Sequence, residues 1–220
     1  MPSRPTSRPK STPEAFSKLL EEVRGCRLCA DKLPHAPRPV LRARETARLL
    51  IVGQAPGRRV HETGIPWNDP SGDVLRDWLQ LSRGEFYDES LIAIIPTGLC
   101  YPGTENGSDL PPRPECAPHW HPRLLEALPD IRLTLLVGQY AQAYYLRDRR
   151  KRTLGETVAA WRKYAPDYLP LPHPSWRNRA WLKKIHGSRT TSCPCCAGKW
   201  RPYWAEIIHN EPCSTDPAAS

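Results

Sequence analysis

Four short apolar runs punctuate the chain, at 49–52, 91–95, 133–137 and 168–171. Each is too short for a helix and lacks the alternation of a half-exposed strand, which predicts strands buried on both faces. The stretches between them carry helical spacing. Thr12-Pro13-Glu14 opens one helix, FSKLLEEV supplies its apolar face, and Gly25 ends it. Val74, Leu75, Trp78 and Leu79 follow Ser71-Gly72-Asp73 and predict a second helix. Residues 120–128 predict a third, and two more helical stretches run up to about Tyr164. Short strands alternating with helices predict an α/β fold, with a central, mainly parallel four-stranded sheet covered by helices on both faces. The loops beyond the C-terminal strand ends are then the working ones, here 53–72, 96–116 and 173–178.

Length and charge refine this picture. The 220 residues suit one domain, with no internal repeat. Residues 1–12 are a basic arm expected to be disordered, 13–184 form the domain, and 185–220 an atypical tail. A mean hydropathy of -0.59 and 26 prolines speak against a membrane protein. MPSRPTSRPKSTPE has no apolar centre, so it does not read as a secretory signal, and a reducing cytoplasmic compartment is expected. The net charge is +9, and the residues after 184 contribute three charges of each sign. The basic excess therefore belongs to the first 184 residues, as phosphate contact would require. Its densest run is Arg147, Arg149, Arg150, Lys151 and Arg152, either a solvated helix end or a phosphate-facing patch.

Three segments carry candidate chemistry. Gly53-Gln54-Ala55-Pro56-Gly57 leaves the first strand, without Walker or dinucleotide spacing. Gly64-Ile65-Pro66-Trp67-Asn68-Asp69-Pro70-Ser71-Gly72 brings an aromatic ring and a carboxylate to a helix start. His173-Pro174-Ser175-Trp176-Arg177-Asn178 closes the last strand. Together with the spacing of Cys26, Cys29, Cys100 and Cys116, this combination resembles the uracil-DNA glycosylase superfamily. It is closest to its iron–sulfur bacterial and archaeal branches (family 4/5-like), over about 26–184.

The resemblance implies a monofunctional DNA glycosylase that hydrolyses the N-glycosidic bond of uracil, or a related deaminated base, in base excision repair. Such an enzyme extrudes the base into a pocket and passes through an oxocarbenium-like transition state, with negative charge gathering on the departing base. His173 then matches the donor to the departing oxygen. Trp67 matches the ring that stacks on the base, with Ala55 and Ser175 beside it. Trp176, Arg177 and Asn178 match the loop that fills the vacated space in the duplex. Asp69 resembles the aspartate that activates water in an iron–sulfur branch, although it could instead cap the following helix. His61 and Glu62 are the runners-up for that role. The third position of the first motif, acidic or amidic in some branches, is Ala55. Gln54 can bond a base or a water but cannot act as a general base. Residues 94–100 contain no Asn to read a uracil edge, so that task falls to backbone groups, Thr97 or Gln54. The alternative function is a catalytically weak or silent lesion-binding protein of the same fold. An unrelated electron-transfer iron–sulfur protein would not explain Trp67, Asp69 and His173.

Four thiolates can hold a [4Fe–4S] cluster or a tetrahedral zinc, and spacing alone does not separate them. The resemblance favours the cluster on Cys26, Cys29, Cys100 and Cys116, as a structural tie; four unrelated thiols are the remaining reading. The other four cysteines, Cys193, Cys195, Cys196 and Cys213, fall in the tail. Cysteine and tryptophan codons begin TG, so a frame starting one base upstream reads Leu, Met or Val there. A TCx serine codon becomes Phe, Leu, Ile or Val. Positions 192, 193, 195, 196 and 200 would then all be apolar at helical spacing. The tail from about Ile185 reads as a one-base frameshift product; a divergent zinc-binding tail is the alternative. A monomer acting on DNA is expected.

Overall fold

The computed structural model describes residues 12–175. Residues 1–11 of the basic arm, the tail with its two readings, and Trp176, Arg177 and Asn178 lie outside the described residues.

Helix α1 (Pro13–Arg24) starts as its sequence predicts. Thr12 Oγ1 accepts from the Ala15 N–H at 3.2 Å, proline occupies the first turn, and Phe16, Leu20 and Val23 turn inward. Strand β1 (Leu49–Val52) leads through α2 (Arg58–Thr63), α3 (Pro70–Leu79) and α4 (Arg83–Phe86) to β2 (Ile92–Ile94). A hairpin of β3 (Thr104–Glu105) and β4 (Ser108–Asp109) precedes α5 (Cys116–Glu126) and β5 (Leu133–Val137). Then come α6 (Gln139–Leu146), α7 (Leu154–Ala159) and β6 (Tyr168–Leu171).

The differences from expectation are local. Helices α2 and α4 are one or two turns long, too short to show periodicity; α4 is set by the Ser82–Glu85 capping box. Helix α5 starts at Cys116, four residues before Trp120. Pro118 falls in its first turn, where no intrahelical donor is needed. The hairpin turns on Asn106 and Gly107, both at positive φ (49° and 71°). That conformation suits an Asn-Gly pair and a two-residue loop.

The sheet is four-stranded and wholly parallel, in the order β2-β1-β5-β6. Alternate residues of each strand feed opposite faces. Leu50, Val52, Ala93 and Leu136 join a core built with α1, α5 and α6, including Phe16, Leu20, Trp120 and Leu124. Leu49, Ile51, Leu133, Leu135 and Val137 join the other, with Leu75 and Leu79 of α3 and Phe86 of α4. Both faces are covered, which is why the strands read as unbroken apolar runs. The chain passes from β1 to β2 on one side, then crosses to β5 on the other. The C-terminal ends of β1 and β5 therefore flank a switch point, where such sheets form their ligand crevice. Among the described residues no helix is long and apolar enough to cross a membrane.

His121 on α5 ties this end of the sheet together. Its Nε2 lies 3.1 Å from the Pro96 carbonyl and its Nδ1 2.7 Å from the Tyr145 hydroxyl. A carbonyl only accepts, so Nε2 carries the proton and Nδ1 accepts from Tyr145. Burial pushes the His121 pKa down to about 4. The unfolded chain, with an ordinary histidine, takes up this proton first as the pH falls. Stability is thus full above pH 6.5 and declines toward pH 4, by roughly 2 kcal/mol between pH 7 and pH 5. Urea titrations at those two pH values should show this difference in the wild type, and a clearly smaller one in His121→Gln.

Candidate active site

The crevice opens into a cavity of about 580 Å³, in the range of small-molecule sites. Its walls come from all the expected working loops. Gly53, Gln54, Ala55, Pro56 and Gly57 leave β1; Pro66, Trp67, Asp69 and Ser71 lead into α3; His173 and Ser175 follow β6. Gly138, Gln139 and Tyr140 at the start of α6, Leu154 of α7, and Gly107 and Asp109 of the hairpin complete it.

Trp67 is held in an unusual way. Its φ is 57°, a conformation that bulky residues adopt only when their surroundings impose it. The imposing group is Arg76 of α3, only 7% exposed, whose Nη1 donates to the Trp67 carbonyl at 3.2 Å. Arg76 also pairs with Asp73 at 2.5 Å and lies 5.2 Å from the Phe86 ring centre. The Tyr87 hydroxyl donates to the neighbouring Pro66 carbonyl at 2.8 Å. Two glycines make room. A Cβ on Gly53 would stand 2.8 Å from Trp67 Cζ2, and one on Gly72 would penetrate the Trp67 carbonyl oxygen. Gly53 of GQAPG thus admits the indole at the mouth of β1, and Gly72 of PSG admits the Trp67 backbone carbonyl.

The indole lies beside His173, with ring centres 5.6 Å apart and planes tilted by 33°. Gly138, at φ 87°, brings its backbone under the same imidazole; a Cβ there would meet His173 Cβ at 3.4 Å. Burial lowers the His173 pKa, while the charges of Asp69 and Asp109 oppose the shift. Burial dominates, so the ring is neutral at physiological pH and offers one N–H donor and one acceptor. Asp69 is the N-cap of α3, its Oδ1 accepting from the Gly72 N–H at 2.8 Å. Capping is therefore one of its tasks, yet the carboxylate still lines the cavity and retains a second oxygen.

Gln54, Ala55, Trp67, Asp69, His173 and Ser175 are thus gathered around one cavity. Thr97 is not among its lining residues. Its side chain is buried, and Oγ1 bonds to the carbonyls of Gly53 (3.1 Å) and Gln54 (2.6 Å), bracing the first loop rather than facing a base. His61 and Glu62 also stand outside the lining. His61 belongs to a triangle of rings with His35 and Tyr101, 5.5 and 5.7 Å away, and Glu62 pairs with Arg58 on the surface of α2. The basic run at 147–152 is exposed and ends two residues before Leu154.

Residues 42–192 match the sequence profile of the Uracil DNA glycosylase superfamily. The chain belongs to that superfamily. Its members act on DNA, and membership supports a uracil-DNA-glycosylase-like activity in general. In this superfamily member, sequence reasoning missed Asp109 and Arg76. The Asn106-Gly107 pair could have signalled the hairpin that carries Asp109, whereas Arg76 reads as an ordinary helix-surface residue until the fold buries it.

A second, much smaller pocket lies where α1, the loop after β2 and the start of α5 meet. Cys26, Cys29, Cys100 and Cys116 all line it, with Pro37, Pro39, Leu99 and Trp120. N–H groups point at its sulfurs: Trp120 Nε1 at 3.2 Å and Leu28 N at 3.5 Å from Cys26 Sγ, Leu99 N at 3.3 Å from Cys116 Sγ, and the Arg38 backbone N–H at Cys100. Burial pushes the Cys100 thiol up to about 11 and Cys116 up to about 12. Among the described residues no group of three or more His, Cys, Asp or Glu is placed to hold one metal ion.

The seat of Trp67 is open to a direct test. Gly72→Ala forces the Trp67 carbonyl away from Arg76 and disturbs the Asp69 cap, so a loss of about 2 kcal/mol or more is expected. Denaturant midpoints of the two proteins give the value. Gly84→Ala, whose added Cβ meets nothing nearer than 3.9 Å, should leave the midpoint nearly unchanged.

Proposed function

We propose that this protein is a monofunctional DNA glycosylase that removes uracil, or a related deaminated base, and leaves an abasic site for base excision repair. The observation that carries this reading is the convergence of Trp67, His173 and Asp69 on one cavity at the sheet's switch point. In this reading Trp67 offers its face to the flipped base, supporting it by stacking. His173, neutral at physiological pH, donates a hydrogen bond to the base oxygen on which negative charge collects as the glycosidic bond breaks. Asp69 orients the attacking water and offsets the positive charge developing on the sugar. Gln54 Nε2 is committed to the Leu110 carbonyl at 3.2 Å, so its amide oxygen is left to accept an N–H from the base or a water. Backbone groups and Ser175 complete the pocket, and Trp176, Arg177 and Asn178 fill the gap in the duplex. The protein acts as a monomer.

We also assign a [4Fe–4S] cluster to Cys26, Cys29, Cys100 and Cys116, placing the chain in an iron–sulfur branch. The donor set fits: four thiols share one pocket, and N–H groups at their sulfurs are suited to stabilise thiolates. Burial raises the Cys100 and Cys116 thiols, and a bound metal would supply the positive charge that draws off their protons. The cluster's role is structural, fastening α1 to the loop that leads into the hairpin. Anoxic purification should yield brown protein with about four irons and four sulfides per chain, as expected for four-thiolate ligation. Cys100→Ser should lose the colour and lower the denaturant midpoint. A colourless protein carrying one zinc would refute the cluster.

The activity is tested with uracil-containing oligonucleotides, followed by alkali to break the strand at abasic sites. The wild type should give strand breaks. Asp69→Ala should lower the rate on the order of 100-fold or more while retaining DNA binding. Binding without any strand break in the wild type would identify a silent lesion binder instead.

A further inference from the structure

The loop GQAPG contains no acid, yet the fold brings one to it from elsewhere in the chain. The β3–β4 hairpin is laced to that loop at two points. Gln54 Nε2 donates to the carbonyl of Leu110, the residue after Asp109, and a Cβ on Gly57 would meet Asp109 Oδ2 at 3.2 Å. Asp109 therefore reaches the same cavity that Asp69 lines, and both carboxylates act on His173. Its carboxylate is oriented as well as placed. Thr104, its cross-strand partner, donates from Oγ1 to Asp109 Oδ1 at 3.1 Å. The same Thr104 hydroxyl is in close contact with the Tyr101 hydroxyl, which fixes it from behind. One oxygen is thus anchored and the other, Oδ2, lies on the side of the first loop.

A carboxylate here works against a ligand that carries phosphates, since like charges repel at close range. It is well suited to a cation. Resting on the glycosylase reading above, we propose that Asp109 is a second catalytic carboxylate of this site, which takes the proton of the attacking water that Asp69 orients. As the C1′–N bond breaks, its electron pair leaves with the base, which accepts the hydrogen bond from His173. The water oxygen bonds to C1′ and its proton passes to Asp109 Oδ2. Asp69, with one oxygen committed to the helix cap, offsets the charge of the developing cation. Two carboxylates on separate elements also explain why the short hairpin is pinned to the first loop rather than left as a free excursion.

The test compares full-length wild type, Asp109→Asn, Thr104→Val and Thr104→Ser in single-turnover release of uracil from an oligonucleotide. Affinity for an abasic-site duplex is measured alongside. Asp109→Asn should release base on the order of 100-fold more slowly, with affinity for the abasic duplex unchanged or tighter because a negative charge is gone. Thr104→Val should lose about tenfold by freeing the carboxylate, and Thr104→Ser, which keeps the hydroxyl, should recover the rate. Asp109→Asn turning over at the wild-type rate would overturn this inference and leave the glycosylase reading standing. Equal losses in rate, abasic-duplex affinity and denaturant midpoint would show a structural role and overturn it as well. A wild type that releases no base would overturn both.

Discussion

The site depends on how closely an indole can approach the end of a β-strand. Trp67 reaches the mouth of β1 only because Gly53 and Gly72 present no side chain to it, and its backbone lies in the left-handed region. Nothing local favours that conformation in a tryptophan. It is held by Arg76, whose guanidinium is buried against Phe86 and Tyr87 and reaches back nine residues to the Trp67 carbonyl. The cap made by Asp69 belongs to the same arrangement, since its hydrogen bond ends on the N–H of Gly72. One stretch from Pro66 to Arg76 thus sets the aromatic wall, the carboxylate and the helix start together. Strain at Trp67 is offset by the charge-assisted contacts of Arg76.

The electrostatics of the cavity follow from what is buried and what is not. His173 is pushed toward its neutral form by burial in spite of two carboxylates that favour the cation. A neutral donor beside negative groups is a suitable arrangement for stabilising a departing anion without adding a fixed positive charge next to a sugar cation. The excess of basic residues lies elsewhere, on exposed segments such as 147–152, where it can meet phosphates. The only charged side chains lining the cavity, among the described residues, are the carboxylates of Asp69 and Asp109.

The cysteine pocket and the cavity are joined by covalent continuity. Cys100 and Cys116 bracket the segment that carries the hairpin, and Thr97, just before Cys100, braces the first loop through the Gly53 and Gln54 carbonyls. Anything that fastens Cys100 and Cys116 to α1 also limits the play of Asp109 against Gly57. A structural tie at this position would act on the cavity without touching its ligand.

The sequence by itself determined the alternation of strands and helices, the two-faced burial of the sheet and the loops that form the site. Unbroken apolar runs of four or five residues between helical stretches read as strands buried on both faces, and Trp67, Asp69 and His173 lie in the loops that follow them. Three matters were decided only by the tertiary structure, because each depends on distance across the fold. Thr97 was removed from the base-reading set, since its hydroxyl finds two carbonyls of the neighbouring loop. Arg76 became the support of Trp67, a role invisible while it is one charged residue on an amphipathic helix. Asp109 entered the cavity because the Asn106-Gly107 turn folds its hairpin onto Gln54 and Gly57, a contact between segments about fifty residues apart. Local pattern encodes which residues are buried; only chain packing decides which polar groups meet.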